Sequence, residues 1–469
     1  RVRAKTLAAA RNPRLRDRER KHLAESAPMR AGYLSLFSLA CCPLAGWPLL
    51  AHATFSRLSF FARAGLSCAA GAVVLSGWMT VFALVGIAWQ PVVLVLMAVL
   101  VSYLLRFLLP SSEAAREKVP PRESRTSLAE KLALVVIGVS VLAALAAAAS
   151  ASATSPDLLL FWGPKAQAFA AARTVDGAFL RDPFLGYMHT SYPPLVTNLY
   201  AFASIVAGRF AWGAATLAFP LAVGVLALAL PGVLRRAVPR RIAWASSALV
   251  VSAFGFLGNE LDVGGNGDSW LWLFETLAMA TLVGDFAARR AGQLLAGLLL
   301  AGAVTAKVEG LPFALVAAAL FLLLRGKDLK PGPAAAFLFL PSAVSLGAWL
   351  AFGATRRIFY GYEQYGRFLD VHWDRLPPVL SDIGGALWSA GWALPYLLPL
   401  AALIAAPRKS RLVLLPLAVS AVLAAFFVFT YLHGDVNSGT WIEWSAGRVF
   451  SPITALLVLA SVCRRTAQS

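Results

Sequence analysis

Asp157, Lys165, Asp268, Lys307, Glu309 and Arg448 are acids and cations spaced out among long apolar runs. A positioned carboxylate can take a proton from a hydroxyl. Lysine and arginine can hold a phosphate, arginine with a planar two-pronged grip and lysine as a point charge. Around Asp157 the chain reads Phe161-Trp162-Gly163-Pro164-Lys165 and then His189-Thr190-Ser191-Tyr192-Pro193-Pro194-Leu195. Carboxylates, lysine and paired prolines sit poorly in hydrocarbon, so such a segment marks function by default. These groups have to be positioned by the apolar elements between them.

The chain has 469 residues, 59% hydrophobic and 14% charged, and its mean hydropathy is +0.70. Soluble domains are roughly 45–50% apolar with about a quarter charged, so this is a membrane protein. The net charge of +19 is spread as short arginine clusters between apolar runs. That is a topology signal and not a nucleic-acid-binding patch. Cys41, Cys42, Cys68 and Cys463 lie in apolar runs or at a helix end and form no disulfide framework or CxxC site.

Runs of about 20 apolar residues are needed to cross a bilayer. The pattern predicts spans near 33–52, 64–88, 90–110, 132–153, 211–232, 242–258, 268–287, 292–306, 310–325, 333–353, 384–404, 411–431 and 449–463. No strand-like alternation competes, so an α-helical bundle of about 12–13 transmembrane helices is expected. From 132–153 onward every second connection is basic: Arg116–Arg125, Arg235–Arg241, Arg289-Arg290, Arg325–Lys330, Arg408–Arg411 and Arg464-Arg465. These read as cytoplasmic. The segments 154–210, 259–267, 307–309, 354–383 and 432–448 then face outward. This requires 193–208 to lie at the outer interface as a helix that does not cross. Residues 1–30 carry ten Lys/Arg and conflict with an external N-terminus, so either 33–52, with Pro43 and Pro48, fails to span, or the basic leader lies outside a native product that starts at Met29.

The outward segments hold the reactive groups. The second contains Glu260, Asp262 and Asp268 around a glycine-rich turn, the third is Lys307-Val308-Glu309-Gly310, and the last holds Trp441, Glu443 and Arg448. Taken singly each has a plain explanation. Pro193-Pro194 can simply start a helix, Lys307 and Glu309 can pair across a tight turn, and Arg448 can snorkel at a helix start. Glu275 is harder to dismiss, because an intramembrane carboxylate needs a partner or a cavity. It lies seven residues after Asp268, on the same helix face.

In their order these features resemble the GT-C glycosyltransferases that use polyprenyl-phosphate-linked sugars. The chain looks closest to bacterial relatives of the dolichyl-phosphate-mannose–protein mannosyltransferases and to the lipid A aminoarabinose transferases. The likeness covers about residues 130–460. It rests on Asp157 before Trp162-Gly163-Pro164-Lys165-Ala166, Tyr192-Pro193-Pro194-Leu195, Gly267-Asp268-Ser269, the Lys307–Gly310 turn, and Trp441, Ser445, Arg448 and Pro452. Pro156 precedes Asp157, so one carboxylate stands where some members offer an adjacent pair. That argues against a metal role for this loop and leaves a general-base role open.

The resemblance implies a catalytic module over 132–463, with accessory helices over 31–131 and interfacial helices in the first external segment. It implies inversion by direct displacement, with Asp157 as base and Asp268 orienting the acceptor or the loop. Lys165, Lys307 and Arg448 would contact the donor phosphate. Trp162, His189, Tyr192, Pro193, Pro194, Glu260, Asp262, Glu309, Trp441 and Glu443 would support substrate. The segment 354–383, with Tyr360, Tyr362, Tyr365, His372 and Trp373, would cover the donor groove. No cofactor is required by the sequence, and a divalent metal is left open. The partners expected are a polyprenyl-phosphate-sugar donor, a lipid, glycan or protein acceptor, and membrane lipids. Ala/Arg/Leu-rich usage points to a bacterial inner membrane, with the site facing the periplasm. Two other classes compete: a secondary transporter, for which Glu275 would be natural, and a non-catalytic assembly factor.

Overall fold

The computed structural model describes residues 33–35, 38–110, 126–151, 156–188, 190–210, 212–260, 265–326, 328–358, 371–389, 397, 400, 404, 411–433 and 438–465. The proposed leader and Met29, His189, Asp262 and the tyrosines of 354–383 lie outside them. In lipid every backbone N–H and C=O must be satisfied within its own segment, so apolar runs fold as helices. The described residues contain no named strand, and one isolated bridge joins Val371 to His433. The chain is an all-α membrane protein.

The helices used below are α1 Cys41–Leu50, α2 Phe60–Leu84, α3 Pro91–Phe107, α4 Leu128–Ala151, α5 Gly163–Ala172, α6 Leu195–Ala207, α7 Ala218–Leu234, α8 Arg240–Glu260, α9 Asp268–Val283, α10 Arg290–Ala306, α11 Gly310–Arg325, α12 Pro331–Arg356, α13 Leu376–Ser389, α14 Leu414–Tyr431 and α15 Ser438–Arg465. Local chemistry sets several of these boundaries. Ser59 caps α2 by accepting the Ala62 N–H, proline opens α3 and α12, where its missing N–H costs nothing, and left-handed Gly208 closes α6.

At the centre lies α9, with all sixteen residues buried, packed on α7, α10, α11 and α15. It is buried on every side because every side meets protein. Around it, α4, α12 and α14 leave Leu132, Val135, Val139, Leu142, Leu340, Val344, Leu414 and Val422 exposed. Such a surface is compatible with hydrocarbon and not with water. Small residues let helices approach closely: Gly65 of α2 packs on Val225 and Ala229 of α7, and Gly232 packs on Ala62.

Five helices are long and apolar enough to cross a membrane: α2, the Leu128–Ser150 part of α4, α12, the Arg411–Tyr431 segment and the Ser445–Cys463 part of α15. The other expected spans form apolar helices of 10–17 residues, apart from α8 and α9, which carry more polar residues, and 384–404, which falls largely outside the described residues. At about 1.5 Å per residue a 17-residue helix is roughly 25 Å long, slightly short of a hydrocarbon core of about 30 Å.

Two local expectations change. The segment 432–448 is not a loop up to Arg448, because α15 begins at Ser438. Its charges do not break the helix because Arg448 is paired (below). The helix expected at 193–208 forms as α6, but Leu195–Ser204 are all buried, against α2, α5 and α10. Protein covers it over Leu195–Ser204, and only its last residues, Ile205–Ala207, are partly open.

Glu130 and Arg240 pair at 3.1 Å, tying together the starts of α4 and α8. Asp157, the start of α9, the α10–α11 turn and Arg448 of α15 meet in one cluster.

Candidate functional site

Asp157 leads into a five-residue π-helical turn, Leu158–Trp162, which passes directly into α5. π turns are rare and concentrate at functional positions. Asp268 is the first residue of α9, where the helix dipole favours an anion. The approach to it is fixed by left-handed Gly265 and by Asn266, whose Oδ1 accepts the Asp268 N–H at 3.1 Å. Lys307 caps the C-terminus of α10, where the dipole favours a cation. The turn that follows can be this tight because of Gly310, where a methyl group would strike the Ala303 carbonyl oxygen.

These groups form one chain of alternating charge. Arg448 Nη1 lies 2.7 Å from Asp157 Oδ2 and 3.6 Å from Asp268 Oδ2. Lys307 Nζ lies 2.8 Å from Asp268 Oδ1 and 3.2 Å from Glu309 Oε1. Asp268 is the most enclosed member, with its side chain 3% exposed, and Asp157 is the most open at 25%. Burial works against the Lys307 ammonium, but Asp268 and Glu309 outweigh it and hold its pKa above the usual lysine value. Each carboxylate of the chain faces a cation. Among the described residues no three His, Cys, Asp or Glu side chains gather so as to hold a metal ion.

Lys165 is buried beside this chain, with Nζ 4.5 Å from the centre of the Trp162 ring. The Trp162 and Tyr192 rings are 6.1 Å apart, and Lys307 Nζ stands 6.0 Å from the Tyr192 ring. Gly267 leaves room for this packing, since a Cβ there would come within 2.8 Å of Trp162 and 3.1 Å of Lys307. Pro193 and Pro194 are buried and lead into α6, and the Trp349 indole donates to the Ser191 carbonyl at 3.0 Å. The prolines therefore place Tyr192 as well as starting a helix.

Burial pulls the Lys165 pKa down to about 7 from an ordinary 10.5, against the attraction of Asp157. The amine is then a proton-exchanging group near neutrality and not a permanent cation. Between pH 7 and 10.5 the unfolded chain binds the proton that the folded chain has lost, so this residue makes stability rise with pH across that window. Below it the cost of the buried amine is present in full. Lys165→Met is expected to flatten the thermal stability profile of the detergent-solubilised protein across the window and to gain on the wild type at its lower end. Parallel profiles would show that the amine is not desolvated.

Not every sequence candidate joins the site. Glu443 is exposed on α15, outside the ion-pair chain. Glu260 is described only as the last residue of α8. Trp441 lies at the edge, its ring 5.1 Å from that of Tyr431. Tyr431 was not indicated by the sequence. Ser445 gives its proton to the Trp441 carbonyl at 2.6 Å, so the Tyr431 hydroxyl donates to Ser445 Oγ at 2.7 Å. This ties the end of α14 to the α15 turn just before Arg448. Glu275 lies two turns below Asp268, is buried, and its Oε2 has no hydrogen-bond partner among the described residues.

No family model, curated protein or solved structure matches the chain.

Proposed function

We propose that the protein is a membrane glycosyltransferase with a GT-C-like bundle, moving a sugar from a polyprenyl phosphate to a hydroxyl acceptor. The observation that carries this reading is the convergence of Asp157, Asp268, Lys307 and Arg448. Asp157 and Arg448 are 291 residues apart in sequence and 2.7 Å apart in space. An acid of moderate exposure stands beside Arg448, which with Lys307 shares the buried Asp268, at one end of an apolar bundle. That is the set of groups needed to deprotonate a hydroxyl and receive a leaving phosphate.

In this reading the acceptor hydroxyl gives its proton to Asp157 and its oxygen bonds to the anomeric carbon. The bond from that carbon to the phosphate oxygen breaks, and its electron pair stays on the phosphate. Lys307 and Arg448 stabilise the charge gathered there, and a polyprenyl monophosphate departs. Displacement at one face inverts the anomeric centre. The arginine-rich connections in the sequence support a cytoplasmic assignment for the other side, and in this reading the site faces the periplasm from a bacterial inner membrane.

A second reading, a proton- or cation-coupled transporter, draws on buried Glu275, because carboxylates inside membranes often mark ion pathways. The charge concentrated at one end, away from the midplane, favours the transferase. Mass spectrometry of surface lipids and glycans from cells with and without the protein tests the proposal and names sugar and acceptor together. A glycan or lipid should lose one sugar of fixed mass when the protein is removed, and identical profiles would refute the transferase reading.

A further inference from the structure

Arg448 faces two carboxylates, and the two are not equivalent. Its Nη1 is 2.7 Å from Asp157, the more open side chain, and 3.6 Å from Oδ2 of the enclosed Asp268. The other oxygen of Asp268 holds Lys307 at 2.8 Å. A single buried carboxylate thus presents one oxygen to each of the two cations that would grip a phosphate. Without it, two cations this close would repel each other.

The contact with Asp157 has a chemical consequence. Oδ2 of Asp157, an oxygen that would take the acceptor proton, is occupied by Arg448 Nη1 at 2.7 Å. The observed arrangement therefore holds the base in check. A phosphate entering beside Lys307 offers Arg448 oxygens that suit its planar fork.

We infer that Asp268 is a positioning residue that seats Lys307 and Arg448 as a two-cation clamp, and that donor phosphate draws Arg448 off Asp157 onto this clamp. The donor then has to bind before the acceptor can be deprotonated. This rests on the polyprenyl-phosphate reading given above. The released Asp157 takes the acceptor proton as the new carbon–oxygen bond forms, and the electron pair of the broken bond goes to the phosphate held by the clamp. Asp157 afterwards returns the proton to water.

The experiment titrates polyprenyl monophosphate, carrying no sugar, into the full-length protein in nanodiscs, with uncharged polyprenol as the control. Asp157→Asn should bind the monophosphate more tightly, by about fivefold, because the competing ion pair is gone. Asp268→Asn should bind it about tenfold more weakly and Asp268→Glu should recover part of the loss, as expected when a carboxylate partner orients a charge. A purely structural role for Asp157 would not tighten binding, so that arm decides the matter even if Asp268→Asn fails to fold. Unchanged or weaker binding by Asp157→Asn overturns the inference while leaving the donor reading in place. Wild-type protein that shows no saturable monophosphate binding, or binds polyprenol equally well, overturns the donor reading and the inference together.

Discussion

Asp157→Asn is expected to lower sugar transfer by about 10²- to 10⁴-fold, the usual share of a positioned general base. Asparagine keeps the size of the side chain, and its carbonyl oxygen can still accept from Arg448. It loses the ability to take a proton. The Asp157–Arg448 pair is only partly enclosed, with side chains 25% and 21% exposed, so the loss of stability should stay within about 1 kcal/mol. The two readouts are turnover in proteoliposomes and thermal unfolding in detergent. Near-normal turnover in a well-folded variant would remove Asp157 from the base role.

Lys307→Met is expected to have the largest effect on stability. Lys307 is the shared partner of Asp268 and Glu309, whose side chains are 3% and 15% exposed. Removing it leaves two enclosed carboxylates facing each other across an apolar side chain. Breaking an ion pair in such a place costs about 3–5 kcal/mol, because the remaining charge stays desolvated. Lys307→Arg keeps the charge but changes its shape, and should restore most of the stability with poorer donor binding. Thermal unfolding of both variants checks this. A methionine variant as stable as the wild type would mean that water already reaches the two carboxylates.

Much of the site was legible because charges are conspicuous in an apolar chain. Asp157, Asp268, Lys307 and Arg448 were each marked by their isolation, and the tight turn before Gly310 by its sequence. What could not be read were relationships across helices. Tyr431 near the end of an apolar helix looks like an ordinary interfacial aromatic. Nothing in the sequence ties it to Ser445 in the next helix. The early start of α15 was missed because Trp441–Arg448 looks too polar for a span, and only the contact with Asp157 shows how Arg448 is accommodated.

The fold shows the same division. Apolar runs place most helices, yet uniform hydrophobicity cannot tell lipid contact from protein contact. Leu132 of α4 and Leu273 of α9 are the same residue type in similar runs, but one is exposed and the other fully buried. The helix after Pro194 illustrates the point from the other side. Charge bookkeeping set it at the outer interface, but its Asn198 is buried and the amide N–H groups donate to Ser76 and Thr80 of α2. The π turn after Asp157 is also invisible in the residue pattern, since its residues are ordinary helix-compatible apolar types.

The most direct test of the central claim follows the fate of a polyprenyl-phosphate sugar in proteoliposomes containing only this protein and an acceptor extract. Glycosyl transfer predicts free polyprenyl monophosphate and glycosylated product in equal amounts, with the anomeric centre inverted. Donor that stays intact, whether unmoved or merely carried across the bilayer, would contradict it.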